Sequence, residues 1–500
     1  MSKTVRACTN CVRAKAKCLP NHNGCERCLR LHKTCTPSPP LRRQQPISRL
    51  SVGHVHALEA KLDSLASLLS QCQPQLQSPA ETLPECPEPS PLSPATDDEL
   101  TLTLFQRHFL PFLPLVVLDT TAAQLQQDKP LLWAAIAAVA TPCASRQRQL
   151  SLQMRHIVAR EAFVKGTCSL DFLLALMVYA VWDRHREHKE ALATNLIQQA
   201  VAIVYELGLH EPPPKDPAVR LAYDVKCILQ PVRLTRRETV EERRALLACY
   251  TLSSLPWTAY LDECVSTLEA HKEADDLLLC QLAKLRLIVD TANTAYCHAY
   301  DPSHQESALL HLHSLTHRLG SFKAGIPPSL AQNKLLRLQR HHTEMVVHDI
   351  GLRDSLFTGP SQARVDCLQA DLAAARNWVD VFLTLQPCDY YGLPFSVFTQ
   401  MNRWLVVALR LNTCDCPGWD MNLFREQVDV PAAFNAVVNH FSRVRDEVPL
   451  DTTLEADVFS LIAAKIEARK EALEARLGYL PSFWDLQFDE LVGIDYNMLL

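Results

Sequence analysis

Apolar residues recur at spacings of three and four from about residue 99 to residue 480, which is the period of one face of an α-helix. The clearest segments read LLWAAIAAVA, SLDFLLALMVYAVWDR, ALATNLIQQAVAIVYELGLH, ERRALLACYTLSSLPWTAYLDE and ADVFSLIAAKIEARKEALEARLGYL. Prolines 212–214 interrupt the pattern, and alternating β-branched runs bounded by Asn-Gly or Asp-Gly turns are missing. The pattern therefore predicts a mainly α protein whose largest domain, residues 99–480, is all-helical.

A second periodic segment, residues 50–73, has the heptad spacing of a coiled coil. Its apolar seam is formed by Val55, Leu62 and Leu69 in one heptad position and by Leu58, Leu65 and Cys72 in the other. The seam spans fewer than three heptads, so a lone amphipathic helix packed on the helical domain fits the pattern as well. We interpret the segment as a short dimerisation helix, and we expect a homodimer.

Proline-rich segments flank this helix on both sides. Residues 37–49 contain TPSPPLRRQQPIS, which has too many prolines to hold a helix, and they are predicted to form a linker. Residues 74–98 carry prolines at 74, 79, 84, 87, 89, 91 and 94, several acids and no Lys or Arg. Such a composition predicts a disordered spacer between the dimerisation helix and the helical domain.

The final segment, residues 481–500, reads PSFWDLQFDELVGIDYNMLL and mixes large apolar side chains with acids. It contains no basic residue. This composition is typical of activation segments that contact the transcription machinery. A last helix packed on the helical domain would have the same composition, so both interpretations stay open.

Charge is unevenly distributed along the chain, whose formal net charge is −5. Residues 1–43 contain ten Lys or Arg and one acid, which gives this head +9 and leaves −14 for the remainder. A basic head favours contact with a polyanion such as nucleic acid. No apolar run of about 18 residues occurs and no apolar signal segment begins the chain, so neither membrane insertion nor secretion is expected.

Nineteen cysteines are present, and six of them form a regular array in residues 1–36. The array consists of two halves, CTNCVRAKAKC and CERCLRLHKTC, each with the spacing C-x2-C-x6-C. Every cysteine of the first half is followed 17 residues later by its equivalent; the pairs are Cys8 and Cys25, Cys11 and Cys28, and Cys18 and Cys35. In a large intracellular chain such an array indicates a metal site rather than disulfides.

Zinc in a closed structural site takes four tetrahedral ligands. Six thiolates fill the ligand positions of two Zn²⁺ ions only if two sulfurs are shared, and the repeat requires the shared sulfurs to be equivalent. The spacing does not distinguish among the three equivalent pairs. A single zinc ion with two spare cysteines is the simpler alternative, but it leaves the repeat unexplained.

This spacing resembles the Zn2Cys6 binuclear cluster of fungal transcription factors. The resemblance implies that Cys8 and Cys25 bridge two Zn²⁺ ions, with Cys11 and Cys18 completing one site and Cys28 and Cys35 the other. It also implies a short helix after each Cys-x2-Cys, the first of which enters the major groove of double-stranded DNA over a CGG-like triplet.

Basic residues follow each cysteine pair, where cations can reach guanine acceptors and phosphates. Those of the first half are Arg13, Lys15 and Lys17, and those of the second half are Arg27, Arg30 and Lys33. The resemblance makes Lys15 the base-reading residue, and the others are expected to contact phosphates. Two positions depart from the usual family pattern, since Ala14 replaces a second basic residue and Gly24 replaces a proline.

The helical domain resembles the regulatory middle region of the same family around SLDFLLALMVYAVW, ELGLH and RRETVEERRALLACYTLSSLPWTAYLD. The resemblance implies a nuclear regulator of transcription, and the phrase ACTNCVRAKAKC suggests control of a biosynthetic pathway such as secondary metabolism. Glycine is scarce and phosphate-binding glycine motifs are missing, while His341-His342 and Cys414-x-Cys416 have no catalytic spacing, so enzyme activity is not expected. The competing hypothesis is a zinc-stabilised nuclear interaction protein that does not select a DNA sequence.

Overall fold

The computed structural model describes residues 8–14, 16–21, 24–36, 95–183, 191–212, 239–297, 305–353, 356–357, 359–420, 426–448, 459–460, 462–464 and 467. These residues belong to two units, which lie within Met1–Ser90 and Pro91–Leu500. The predicted dimerisation seam from Val55 to Leu69 and the acidic tail of residues 481–500 lie outside the described residues.

The N-terminal unit reproduces the sequence repeat as a structural repeat. Helix α1 (Thr9–Arg13) and helix α2 (Glu26–Arg30) begin and end at positions 17 residues apart. Between them, strands β1 (Pro20–Asn21) and β2 (Gly24–Cys25) pair antiparallel in a two-stranded sheet. Each helix starts directly after the first cysteine of a pair, so the cysteine spacing and the backbone follow one period.

The regular structure described within Pro91–Leu500 is helical, and the prediction of a mainly α fold is confirmed. The helices of its first part are α3 (Ala95–Leu104), α4 (Ala122–Asp128), α5 (Pro130–Ala140), α6 (Ala144–Ala159), α7 (Leu170–Trp182) and α8 (Ala191–Glu206). Those of its second part are α9 (Val240–Leu252), α10 (Ala259–His271), α11 (Ala274–Tyr296), α12 (Gln305–Ala324), α13 (Lys334–His348), α14 (Gln362–Leu383), α15 (Pro387–Tyr390), α16 (Phe395–Leu411) and α17 (Val430–Glu447).

Four short segments add tighter or wider turns to these helices. Two π-helical turns, Phe105–Phe109 and Arg160–Lys165, extend α3 and α6. Two 3₁₀ turns, Pro328–Leu330 and Asp349–Leu352, stand before and after α13.

Side chains at the helix starts explain where several helices begin. The hydroxyl of Ser169 accepts the backbone N–H of Phe172 at the start of α7. Thr239 and Glu242 form a reciprocal capping box at the start of α9, in which each side chain accepts the other residue's backbone N–H. Such caps satisfy amide groups that have no partner inside the helix, typically stabilising it by about 1 kcal/mol.

The start of α3 differs from the predicted boundary. The helix begins at Ala95, whereas the disordered spacer was expected to extend to residue 98. Asp97 and Asp98 occupy its first turn, where carboxylates interact favourably with the positive end of the helix dipole. The acids that made the segment resemble a spacer therefore also favour a helix N-terminus.

The helices pack against one another in a continuous series. Contacts run from α5 to α7, from α7 to α9 and α8, and onward through α11, α13, α14 and α16. Every side chain of α7 from Phe172 to Trp182 is buried, which accounts for its uninterrupted apolar sequence. The buried side chains form one core that extends from Leu102 to Ala463. In the part of the chain that the structure describes, no helix has the length and apolarity needed to cross a membrane.

Aromatic residues join the first and last parts of this core. The rings of Phe109 and Trp182 meet edge to face at 5.7 Å, and those of Phe109 and Tyr391 at 5.0 Å. The indole N–H of Trp182 donates to the Gly392 carbonyl at 3.0 Å, and the hydroxyl of Tyr391 donates to the Ala140 carbonyl at 2.9 Å. These bonds satisfy the polar atoms of rings that are otherwise buried in apolar surroundings.

A buried ion pair connects α9 with α11. The guanidinium of Arg244 binds the carboxylate of Asp276 through two hydrogen bonds, Nε to Oδ1 at 2.6 Å and Nη2 to Oδ2 at 2.9 Å. The side chain of Asp276 is 1% exposed and that of Arg244 is 11% exposed. Two parallel bonds of this kind fix the relative position of the two helices.

We expect Asp276→Ala to lower the free energy of unfolding by about 3–5 kcal/mol, because it leaves a buried guanidinium without its counter-charge. Asp275→Ala is the matched control, since Asp275 is the exposed neighbour on the same helix, and its effect should stay within about 0.5 kcal/mol. Urea denaturation of the full chain, followed by far-ultraviolet circular dichroism, measures both. Equal effects of the two variants would contradict the assigned role of this ion pair.

Candidate metal centre and nucleic-acid interface

Six cysteine thiols of the N-terminal unit converge into two groups of four. One group consists of Cys8, Cys11, Cys18 and Cys25, and the other of Cys8, Cys25, Cys28 and Cys35. Within each group all sulfur atoms lie within 4.8 Å of one another. Cys8 and Cys25 are common to both groups, and they are the pair that the family resemblance makes the bridging ligands.

The sulfur spacing suits tetrahedral coordination of a thiophilic cation. The Sγ atoms of Cys8 and Cys25 are 3.7 Å apart, those of Cys11 and Cys25 are 3.6 Å apart, and those of Cys8 and Cys28 are 3.6 Å apart. A tetrahedron with Zn–S bonds of about 2.3 Å has an edge of about 3.8 Å. Disulfide sulfurs would be only about 2.0 Å apart, so the geometry is that of a metal site and not of a disulfide framework.

Backbone amides distinguish the two shared sulfurs from the others. The Sγ atom of Cys25 caps α2 by accepting the backbone N–H of Cys28 at 3.4 Å, and this bond lowers the pKa of Cys25. The equivalent bond from the backbone of Cys11 lowers the pKa of Cys8 to about 6. Burial raises the pKa of Cys11 and of Cys35 to about 12. The sulfurs in the shared positions are thus the ones that the fold stabilises as thiolates, which is the form that binds metal.

Two residues beside the cysteines fasten the halves of the unit together, and the sequence analysis missed both. The side-chain amide of Asn10 donates to the Thr34 carbonyl at 2.9 Å and to the Sγ atom of Cys28 at 3.8 Å. The Thr9 backbone N–H and hydroxyl both donate to the Thr36 carbonyl, at 3.0 and 3.2 Å. A polar pair between Cys8 and Cys11 is the sequence signal that pointed to these contacts.

The predicted DNA-contacting residues have different surroundings. Arg13 ends α1 and is exposed, and Lys17, Arg30 and Lys33 are exposed as well. Arg27 is half-buried, and its side chain hydrogen-bonds the sulfur of Cys11, so it also supports the thiolate group. Lys15, the predicted base-reading residue, lies outside the described residues.

The histidine and cysteine pairs of the helical unit have structural partners. The Nδ1 atom of His341 lies 2.7 Å from the carboxylate of Glu344, and Arg364 donates to the sulfur of Cys414 at 3.4 Å. Among the residues that the structure describes, groups of three or more ligands close enough to hold a metal occur only in the N-terminal unit. The candidate site is therefore the thiolate pair of groups.

Three curated proteins are similar to the chain over most of its length. The transcription factor opdL of Penicillium oxalicum is 30% identical over 88% of this chain and 84% of its own length. The chain belongs to a family of fungal transcription factors. It is 28% identical to the transcription factor himD of Aspergillus japonicus over 76% of this chain and 69% of that protein.

A third member of this transcription factor family gives a weaker match. A transcription factor of Aspergillus terreus is 23% identical over 71% of this chain and 56% of its own length. The family model ATEG07667_C, described as a C-terminal domain, matches residues 387–486. No solved structure gives a significant match. Family membership assigns the chain a role in regulating transcription.

The sharing of Cys8 and Cys25 generates a prediction about metal content. Cys8→Ser removes a ligand from both thiolate groups, whereas Cys18→Ser removes one from a single group, so Cys18→Ser should retain roughly half of the bound metal and Cys8→Ser much less. Mass spectrometry of the metal in the purified full chain measures this. Cys297→Ser, an exposed cysteine of the helical unit, is the control that should keep all of it. Equal losses in the Cys8 and Cys18 variants would contradict two separable groups.

Proposed function

We propose that the chain is a zinc-dependent, sequence-specific DNA-binding transcription factor that acts in the nucleus on CGG-like triplets. The observation that carries the proposal is the sharing of Cys8 and Cys25 between two four-thiolate groups. That arrangement has ligand positions for two Zn²⁺ ions. Family membership alongside fungal transcription factors supports the same conclusion.

Zinc supplies the stability that the small N-terminal unit does not obtain from apolar packing. The buried side chains of the described part of this unit are those of cysteines, namely Cys8, Cys11, Cys25 and Cys28. Leu19, Leu29 and Leu31 are each more than 40% exposed. In a unit of this kind the free energy of metal binding takes the place of a hydrophobic core, so folding depends on the metal.

The cations of this unit are the proposed DNA contacts. Arg13, Lys15 and Lys17 accompany and follow α1, which we place in the major groove with Lys15 on guanine. Arg27, Arg30 and Lys33 are assigned to phosphates of the flanking backbone. The rest of the chain carries −14, so it does not attract DNA, and the contacts belong to the basic head.

The remaining segments complete the regulator. Residues 50–73 pair two chains, so that two heads bind two triplets, and the helical domain of residues 99–480 controls output. Residues 481–500 contact the transcription machinery through their mixed acidic and apolar side chains. The regulated genes are proposed to encode a biosynthetic pathway of secondary metabolism.

We expect Lys15→Ala to reduce the preference of the full chain for its selected site over a mutated triplet by about 1–3 kcal/mol, because it removes hydrogen bonds to a base edge. The site is obtained by selection from random duplex DNA, and affinities are measured at one fixed salt concentration. Arg376→Ala, which removes an exposed cation on α14, is the charge-matched control and should leave the preference unchanged.

Two outcomes of this selection would contradict the proposal. If the wild-type chain enriches no CGG-type triplet, sequence-specific binding is wrong. If enrichment survives removal of zinc by a chelator, zinc dependence is wrong. Weak, salt-sensitive binding without selection would favour the nuclear interaction protein instead.

Pairing through residues 50–73 generates a separate prediction. Leu62→Asp places a charge in the proposed apolar seam and should convert the full chain from dimer to monomer. Ser64→Asp adds the same charge outside the seam and should leave the dimer intact. Light scattering coupled to size-exclusion chromatography measures the mass. A monomeric wild type, or a Leu62→Asp variant that remains dimeric, would show that the segment does not pair two chains.

A further inference from the structure

We infer that a cavity between α9, α11 and α12 binds a small aromatic carboxylate. The cavity has a volume of about 830 Å³ and opens between Tyr250 at the end of α9, Trp257 in the following loop, and Ala308 near the start of α12. Ligand pockets for small organic molecules typically have volumes of about 300–1,000 Å³. This one is large enough for two fused rings.

One wall of the cavity presents an aromatic surface. The indole of Trp257 stands edge to face against the ring of Tyr250, with centroids 4.9 Å apart. The indole N–H donates to the carboxylate of Asp262 at 3.1 Å, which holds the ring in place. Trp257 is half-buried, so part of its surface remains available to a ligand. Leu287 and Ala295 of α11 add apolar surface, which suits a planar ring.

The polar part of the cavity favours an anion. Asp290 is engaged through both oxygens, because Oδ1 lies 2.8 Å from Nε of Arg286 and Oδ2 accepts the hydroxyl of Tyr250 at 2.9 Å. Arg286 also donates from Nη2 to the Ser253 carbonyl at 3.2 Å. A guanidinium has five N–H donors, so donors beyond these two contacts remain for a ligand, and 28% of the Arg286 side chain is exposed.

A second guanidinium lies close by and leaves the site with a positive balance. Arg318 of α12 donates to the hydroxyl of Thr291 at 3.2 Å, and Thr291 itself lines the cavity. Two guanidinium groups thus stand near a single carboxylate, in a unit whose overall charge is negative. A ligand carboxylate would gain charge-assisted hydrogen bonds there, whereas a cationic ligand would compete with Arg286 for Asp290.

Binding at this site requires neither DNA nor zinc, so the inference stands or falls separately from the proposed function. The site lies on α9 and α11, the two helices that the Arg244–Asp276 ion pair connects. A ligand that contacts both helices would stabilise the helical unit, which gives it the character of a small-molecule effector.

The test uses the full chain and 2-naphthoate as the probe, with calorimetry as the readout. We expect saturable binding of one molecule per chain with a Kd of about 1 mM or tighter, as is typical for a ligand of this size. Cyclohexanecarboxylate, which lacks the aromatic ring, and 2-naphthylmethylammonium, which has the opposite charge, should each bind at least about tenfold more weakly.

Two variants connect the binding to this cavity. Arg286→Gln should weaken 2-naphthoate binding about tenfold, since it removes the charged donor, while Arg376→Gln on the exposed face of α14 should have no effect. Ala295→Phe, at a half-buried position, should block the cavity without disturbing the core. Failure of the wild type to bind 2-naphthoate, or unchanged binding in both Arg286→Gln and Ala295→Phe, would overturn the inference.

Discussion

The convergence of six thiols on two shared sulfurs is the constraint on which the N-terminal unit depends. Like charges at 3.6–3.7 Å repel one another, so the thiolate form of this cluster requires compensating positive charge. Backbone amides at the starts of α1 and α2 supply part of it at Cys8 and Cys25. A bound cation would supply the remainder, which is why a unit without an apolar core can hold its helices and its basic residues in one arrangement.

The sequence predicted much of this unit because its spacing is a repeat. The offset of 17 residues recurs in the bounds of the two helices and in the equivalent roles of Cys8 and Cys25. Spacing alone left three equivalent pairs as possible bridges, since a repeat treats all of its positions alike. The distinction comes from helix capping, a property of backbone direction. The contacts of Asn10 and Arg27 with cysteine sulfurs depend on the same local geometry and were not predictable from spacing.

In the helical unit, the apolar period predicted which segments are helices but not which helices meet. The period reports that one face of a segment is buried, and it is the same for every partner. The uninterrupted apolar run of α7 therefore indicated a central helix, whereas the bond between Trp182 and Gly392 joins residues 210 positions apart in sequence. The pairing of Arg244 with Asp276 was equally hidden, because charged residues in an amphipathic pattern are normally assigned to the exposed face.

The charge distribution connects the two units to the proposed function without reference to their relative placement. At physiological ionic strength exposed charges act over roughly 8 Å, so a basic head attracts DNA locally even though the whole chain is negative. A short triplet provides few base contacts, which limits the selectivity of one head. The linker of residues 37–49 could span about 45 Å when extended, so it does not by itself fix the distance between two heads. Selectivity beyond the triplet must then come from pairing of two chains, which converts the binding of the second head into an intramolecular step.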